Sequence, residues 1–103
     1  MKYNKLIRDK IPEVIEKNKQ KPIIHIADDE EYWEKLKEKL NEEVNEFLED
    51  CDSEKEITDI LEVIDAICKF KNFDKDKIKK LKEEKAKEKG SFDKKIILDE
   101  VKD

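Results

Sequence analysis

Ser53-Glu54-Lys55-Glu56-Ile57-Thr58-Asp59-Ile60-Leu61-Glu62-Val63-Ile64-Asp65-Ala66-Ile67-Cys68-Lys69-Phe70 is the most informative run in the chain. Its apolar residues recur at steps of three and four, the period of a helix, not the two-residue alternation of a half-buried strand. Ser53 with Glu56 three positions on is the pairing of a capping box. At about 100° per residue, with Ile57 at 0°, Ile60, Leu61, Ile64, Ile67 and Cys68 fall between about 280° and 40°. Val63 and Ala66 widen the apolar arc to roughly 220°, more than one neighbouring helix covers. The spacing predicts a helix from Ser53 to about Phe70 that is covered on several sides.

Upstream, Asp28 or Asp29 caps a long helix reaching about Asp50, with Glu30 and Glu31 well placed in its first turn. Trp33, Leu36, Leu40, Val44 and Phe47 share one stripe of it. The turn near Cys51–Ser53 is short, so the two helices should pack antiparallel. A first helix begins near Pro12, whose fixed φ suits a first turn, and runs to about Lys19 with Ile11, Val14 and Ile15 as its stripe. Asp74 or Asp76 opens a fourth, polar helix that stops before Gly90, the one glycine in the chain. Lys77, Lys80 and Lys87 alternate there with Glu83, Glu84 and Glu88, the pattern of a solvated face. Residues 22–26, Pro-Ile-Ile-His-Ile, are β-branched and too brief for a helix. Lys94-Lys95-Ile96-Ile97-Leu98 is a second extended candidate, and the two segments could pair as a minor two-stranded ribbon on a helical platform.

The fold class expected is therefore all-α, of four-helix-bundle type, in a single domain over residues 1–103. Composition agrees. One glycine and two prolines are too few for the turns of a sandwich or barrel. Charged residues make up 51% of the chain, which approaches the composition of disordered segments, and only the helical spacing of the apolar 36% supports a core. With 29 acidic against 24 basic residues, net −5, the chain lacks the cationic excess that nucleic-acid binding needs. No apolar run is long enough to span a membrane. The first residues lack the pattern of a signal peptide, and Cys51 and Cys68 have no partners at zinc spacing, so a reduced, cytoplasmic protein is expected.

The acids are unevenly placed. With Trp33 at 0°, Glu43 falls at about 280°, Glu46 at about 220° and Glu42 at about 180°, against an apolar stripe centred near 340°. Glu43 is thus the most inward of the three and Glu42 the least. In the Ser53–Phe70 helix, Glu56 and Asp59 lie inside the apolar arc, at about 260° and 200°, while Glu62 and Asp65 lie outside it. Glu43 with Glu46, and Glu56 with Asp59, are i, i+3 pairs, each on one helix surface. Antiparallel packing brings the two pairs to the same end of the helical hairpin. Ionised carboxylates on apolar faces need compensation, and a divalent cation supplies it. Oxygen donors without His or Cys favour Mg²⁺ or Mn²⁺ over zinc. A di-iron bundle would need Glu-x-x-His pairs, and His25, the one histidine, is in an extended segment. In so acidic a chain such spacings also arise by chance, and Glu56 has its place in a capping box.

Glu42-Glu43-Val44-Asn45-Glu46 followed by Glu56-Ile57-Thr58-Asp59 resembles the Glu-Glu-x-x-Glu and Glu-x-x-Asp signature of MazG-like nucleotide pyrophosphohydrolases. These belong to the all-α NTP pyrophosphatase superfamily, with phosphoribosyl-ATP pyrophosphohydrolases and dimeric dUTPases as relatives. The opening, Tyr3-Asn4-Lys5-Leu6-Ile7-Arg8-Asp9-Lys10-Ile11-Pro12, is similar to the Tyr-Asn-Lys-Leu-Val-Arg-Asp-Lys-Ile-Pro start of a small branch often labelled phosphoribosyl-ATP pyrophosphohydrolase-like. Lys89-Gly90-Ser91-Phe92 looks like that branch's Arg-Gly-Gly-Phe, with lysine for arginine and serine for the second glycine.

The resemblance implies Mg²⁺ ligands at Glu43, Glu46, Glu56 and Asp59, and cleavage of a nucleoside triphosphate between α and β phosphorus to give a monophosphate and pyrophosphate. Glu42, bordering that set, is the candidate to take a proton from the attacking water. Lys5, Arg8 and Lys89 are candidates for phosphate oxygens. Phosphoribosyl-ATP is an alternative substrate, and a non-catalytic helical interaction module is an alternative of another class. Trp33 reads as packing and His25 as structural. The wide arc of the Ser53–Phe70 helix, in a chain with few helices to cover it, predicts a homodimer or homotetramer.

Overall fold

The computed structural model describes residues 2–103, and among them there are four helices and no strand. They are α1 (Ile11–Lys17), α2 (Asp29–Glu49), α3 (Glu54–Lys71) and α4 (Lys75–Lys89). The chain divides into two compact units, the first ending at Lys71 and the second running from Asn72 to Asp103.

In the first unit α2 and α3 form an antiparallel hairpin. Asp28, in extended backbone, caps α2 by accepting the Glu31 amide at 2.9 Å, and Asp29, Glu30 and Glu31 follow in the first turn. At one end of the hairpin the Phe70 ring meets Tyr32 edge-on at 5.3 Å and lies parallel to Trp33 at 5.9 Å. Trp33 thus packs, as its stripe position predicts, and carries Lys37 and Lys71 over its ring. Between the helices lie the buried side chains Leu36, Val63 and Cys68.

That buried set is small, and the α3 arc is covered on one side only. Val63 and Cys68 are enclosed, whereas Ile57, Leu61 and Ile64 are exposed. Within the first unit, α1 and α2 leave exposed the part of the arc that the sequence pattern marks as buried.

Helix ends follow local chemistry. α1 stops at Lys17, two residues before the expected Lys19, because Lys19 adopts a left-handed φ of 61°. The Gln20 amide then donates to Ile15 O and the Lys19 amide to Glu16 O, a Schellman closure. Asn72, with φ 57°, follows the end of α3. In the second unit Asp74 caps α4, accepting the amides of Asp76 and Lys77. Gly90 ends the helix at φ 85°, a conformation in which any other residue carries a Cβ penalty.

The expected ribbon does not form. Residues 22–26 and 94–98 have no strand pairing, and Ile23, Ile26, Ile96, Ile97 and Leu98 are all exposed. β-branched residues favour extended backbone, but a strand pair needs an apolar surface to pack on. His25 instead pairs with Glu31 at 2.9 Å, beside the start of α2. No described helix is long and apolar enough to cross a membrane.

Candidate functional site

The antiparallel hairpin sets the carboxyl-terminal half of α2 against the first turns of α3. Carboxylate oxygens of Glu43, Glu56 and Asp59 there lie within 4.8 Å of one another, and those of Glu42, Glu43 and Glu46 do the same. Glu43 belongs to both groups. It is 7% exposed, and its Oε2 has no hydrogen-bond partner. Glu56 Oε2 is likewise buried and unpartnered. Glu56 therefore directs its carboxylate into the cluster, while its amide bonds the backbone carbonyl of Ser53 at 3.2 Å.

Burial is the main cause that pushes the Glu43 carboxyl above the ordinary glutamate range. The neighbouring Glu46 carboxyl acts in the same direction. Lys39, with its Nζ 3.3 Å from Glu43 Oε1, opposes both. Lys39 also reaches Glu42, at 3.4 Å. One ammonium thus serves two carboxylates, and the cluster keeps an excess of negative charge.

Glu42 and Glu46 exchange the environments that helical angles alone predict. Glu46 is exposed and Glu42 half-buried. The cause is the segment before α1, which lies against α2 on the Glu42 side. Lys5 Nζ sits 3.3 Å from Glu42 Oε1, and Lys35 Nζ donates to the Asn4 carbonyl at 2.7 Å. Asn4 makes the bend in left-handed backbone, φ 47°, which asparagine tolerates well. A cleft of roughly 240 Å³ lies between this segment and α2, lined among others by Tyr3, Lys5, Lys35, Lys39 and Glu42. Further along, Arg8 Nη2 meets Asp59 Oδ1 at 2.9 Å.

Six of the residues singled out from sequence outside the second unit thus share a single region: Lys5, Arg8, Glu42, Glu43, Glu56 and Asp59. Glu46 joins through Glu42 and Glu43. Lys89 is an exposed residue of the second unit, the last of α4. Lys39 and Lys35 escape a reading based on acids. Their signal is nonetheless in the sequence, because Lys39 stands three and four residues before Glu42 and Glu43, the spacing of helical ion pairs. Outside the cluster, Glu62 and Asp65 are exposed on α3, as their angles predict.

The donor set suits a hard cation: oxygens only, grouped within a few ångströms, with two buried oxygens free of hydrogen bonds. An uncharacterized protein of Mycolicibacterium smegmatis (strain ATCC 700084 / mc(2)155) is 48% identical over 42 residues, 41% of this chain. The matched stretch spans 43% of that relative's length. No family model matches the chain, and no solved structure matches it.

Proposed function

We propose that the chain is a Mg²⁺- or Mn²⁺-dependent nucleotide pyrophosphohydrolase of the MazG-like kind. It would hydrolyse a nucleoside triphosphate between the α and β phosphorus atoms, yielding a monophosphate and pyrophosphate. The observation that carries this reading is the unpartnered Oε2 of buried Glu43, facing the carboxylates of Glu56 and Asp59. A buried anion short of donors is costly, and a cation bound among the carboxylates removes that cost.

Glu43, Glu56 and Asp59 would hold the cation, with Glu46 added from the exposed side of α2. A divalent ion so held supplies charge neutralisation at phosphate oxygens and lowers the pKa of a bound water. Glu42, paired with Lys5 and Lys39 at the edge of the cluster, would accept a proton from the attacking water. Lys5 and Arg8 stand beside the acids, where phosphate oxygens would arrive. Cytoplasmic nucleotides are the substrate class, either triphosphates removed as unwanted or phosphoribosyl-ATP.

A homodimer or homotetramer built on α2 and α3 belongs to the same proposal. Ile57, Leu61 and Ile64 are 42%, 54% and 39% exposed, and a second copy would cover them.

The test is pyrophosphate release with Mg²⁺ across ribo- and deoxyribonucleoside triphosphates and phosphoribosyl-ATP. Turnover of any of them supports the enzyme. No release from any substrate overturns it and favours the non-catalytic helical module, for which the exposed α3 face is the binding surface.

A further inference from the structure

Arg8 is the one arginine in a chain whose 24 basic residues are otherwise all lysine. It is spent on a carboxylate of the acidic cluster, Asp59 Oδ1 at 2.9 Å. A guanidinium differs from an ammonium in offering a planar fork, matched equally to a carboxylate and to a phosphate. Its segment is anchored on either side of that contact. Lys35 holds the Asn4 carbonyl, Lys5 pairs with Glu42, and the Arg8 carbonyl accepts the Ile11 amide at 3.1 Å as α1 begins. The Arg8 side chain is nevertheless 56% exposed. Ion pairs in contact with water are weak and exchange readily. Asp59, meanwhile, belongs to the group with Glu43 and Glu56, whose buried Oε2 atoms have no hydrogen-bond partner.

We infer that Arg8 is the counter-ion of Asp59 in the metal-free chain, and that it leaves Asp59 when a divalent cation is bound and then takes a phosphate oxygen of the ligand. This rests on the metal-binding reading above and adds to it a handover. The one guanidinium is stored on a ligand carboxylate and is released only when the site is loaded. Two consequences of opposite sign follow. Arg8 competes with the cation for Asp59, so its removal strengthens metal binding. Arg8 also contributes to phosphate binding, so its removal weakens that step.

The single arginine makes the test direct, because the unaltered protein gives one arginine Nε–H signal in a ¹⁵N-correlation spectrum. Titration with Mg²⁺ should move that signal along a curve with the same midpoint as the Mg²⁺-dependent rise in melting temperature. Asp59→Asn should place the signal near the released position without Mg²⁺. Adding inorganic pyrophosphate to the Mg²⁺-loaded protein should move it again. In parallel, Arg8→Gln should bind Mn²⁺ about three- to tenfold more tightly, as expected on losing a weak competing ion pair. The same variant should bind pyrophosphate in saturating Mn²⁺ roughly tenfold more weakly, the loss of one charge-assisted contact. Lys2→Gln, which removes the same charge from an exposed position in the same segment, is the control. A melting temperature that rises with Mg²⁺ while the Arg8 signal stays still overturns the handover and leaves the metal site standing. So does tighter Mn²⁺ binding of equal size in Lys2→Gln and Arg8→Gln. No response to Mg²⁺ or Mn²⁺ by either readout overturns the metal reading itself.

Discussion

Glutamine at position 43 keeps the shape of the side chain and removes the charge that the fold leaves short of donors. Glu43→Gln is therefore expected to raise the melting temperature of the metal-free protein and to abolish its further rise with Mg²⁺ or Mn²⁺. Differential scanning calorimetry with and without the ion checks both halves. The sign of the pH dependence follows from the same residue. Its folded-state pKa is raised above the ordinary value of 4.5, so the folded chain binds the proton more tightly than the unfolded one. This contribution favours the folded state at low pH and is lost as pH rises from 4.5 through the raised value. Metal-free parent protein should show that loss in chemical denaturation across pH, and Glu43→Gln should not. The proposed activity should separate the acids differently. Asp59→Asn should lower pyrophosphate release by about 10²–10³, the cost of about 3–4 kcal/mol of transition-state contact. Glu62→Gln, exposed on the same helix, should stay within about tenfold. The inward placing of Glu43, Glu56 and Asp59 is legible from helical angles. The burial of Glu42 is not, since it depends on Lys5 arriving from 37 residues away.

The α2–α3 hairpin stands on a narrow base. Leu36, 1% exposed, is its most completely enclosed apolar side chain. Leu36→Ala should cost about 2–5 kcal/mol, visible as a lower urea midpoint at unchanged slope. Helix limits were largely readable because they depend on near neighbours. Asp28, Asp74 and Gly90 end or begin helices through contacts within a few residues. The exceptions are also physical. Lys19 takes a left-handed backbone that no lysine announces, and Glu56 turns toward Glu43 and Asp59 although its spacing from Ser53 suits a capping box. Residues 22–26 and 94–98 carry strand-like composition without a strand, because pairing requires a surface that composition does not record.

At the scale of the molecule, the first unit alone leaves part of its α3 apolar arc in water. Ile57, Leu61 and Ile64 form a contiguous face on α3, and self-association through it is the proposal that accounts for them. Sedimentation at micromolar concentration should give a dimer or tetramer. Leu61→Glu should yield a folded species of 12.4 kDa, since the side chain is already exposed within one chain. A parent protein that sediments as a monomer, or a Leu61→Glu variant that keeps the parent's mass, would refute that assembly.

Periodicity and capping residues were enough to determine the four helices, the antiparallel turn and the inward placing of Glu43, Glu56 and Asp59. All of these rest on contacts a few residues apart. Tertiary structure alone decided that the segment from Tyr3 to Arg8 lies against the cluster and that Arg8 takes Asp59. It also decided that Glu42 is covered while Glu46 is open to water. Those outcomes turn on where a non-helical segment comes to rest across 37 and 51 residues of chain, and such a segment has no period from which its direction can be read.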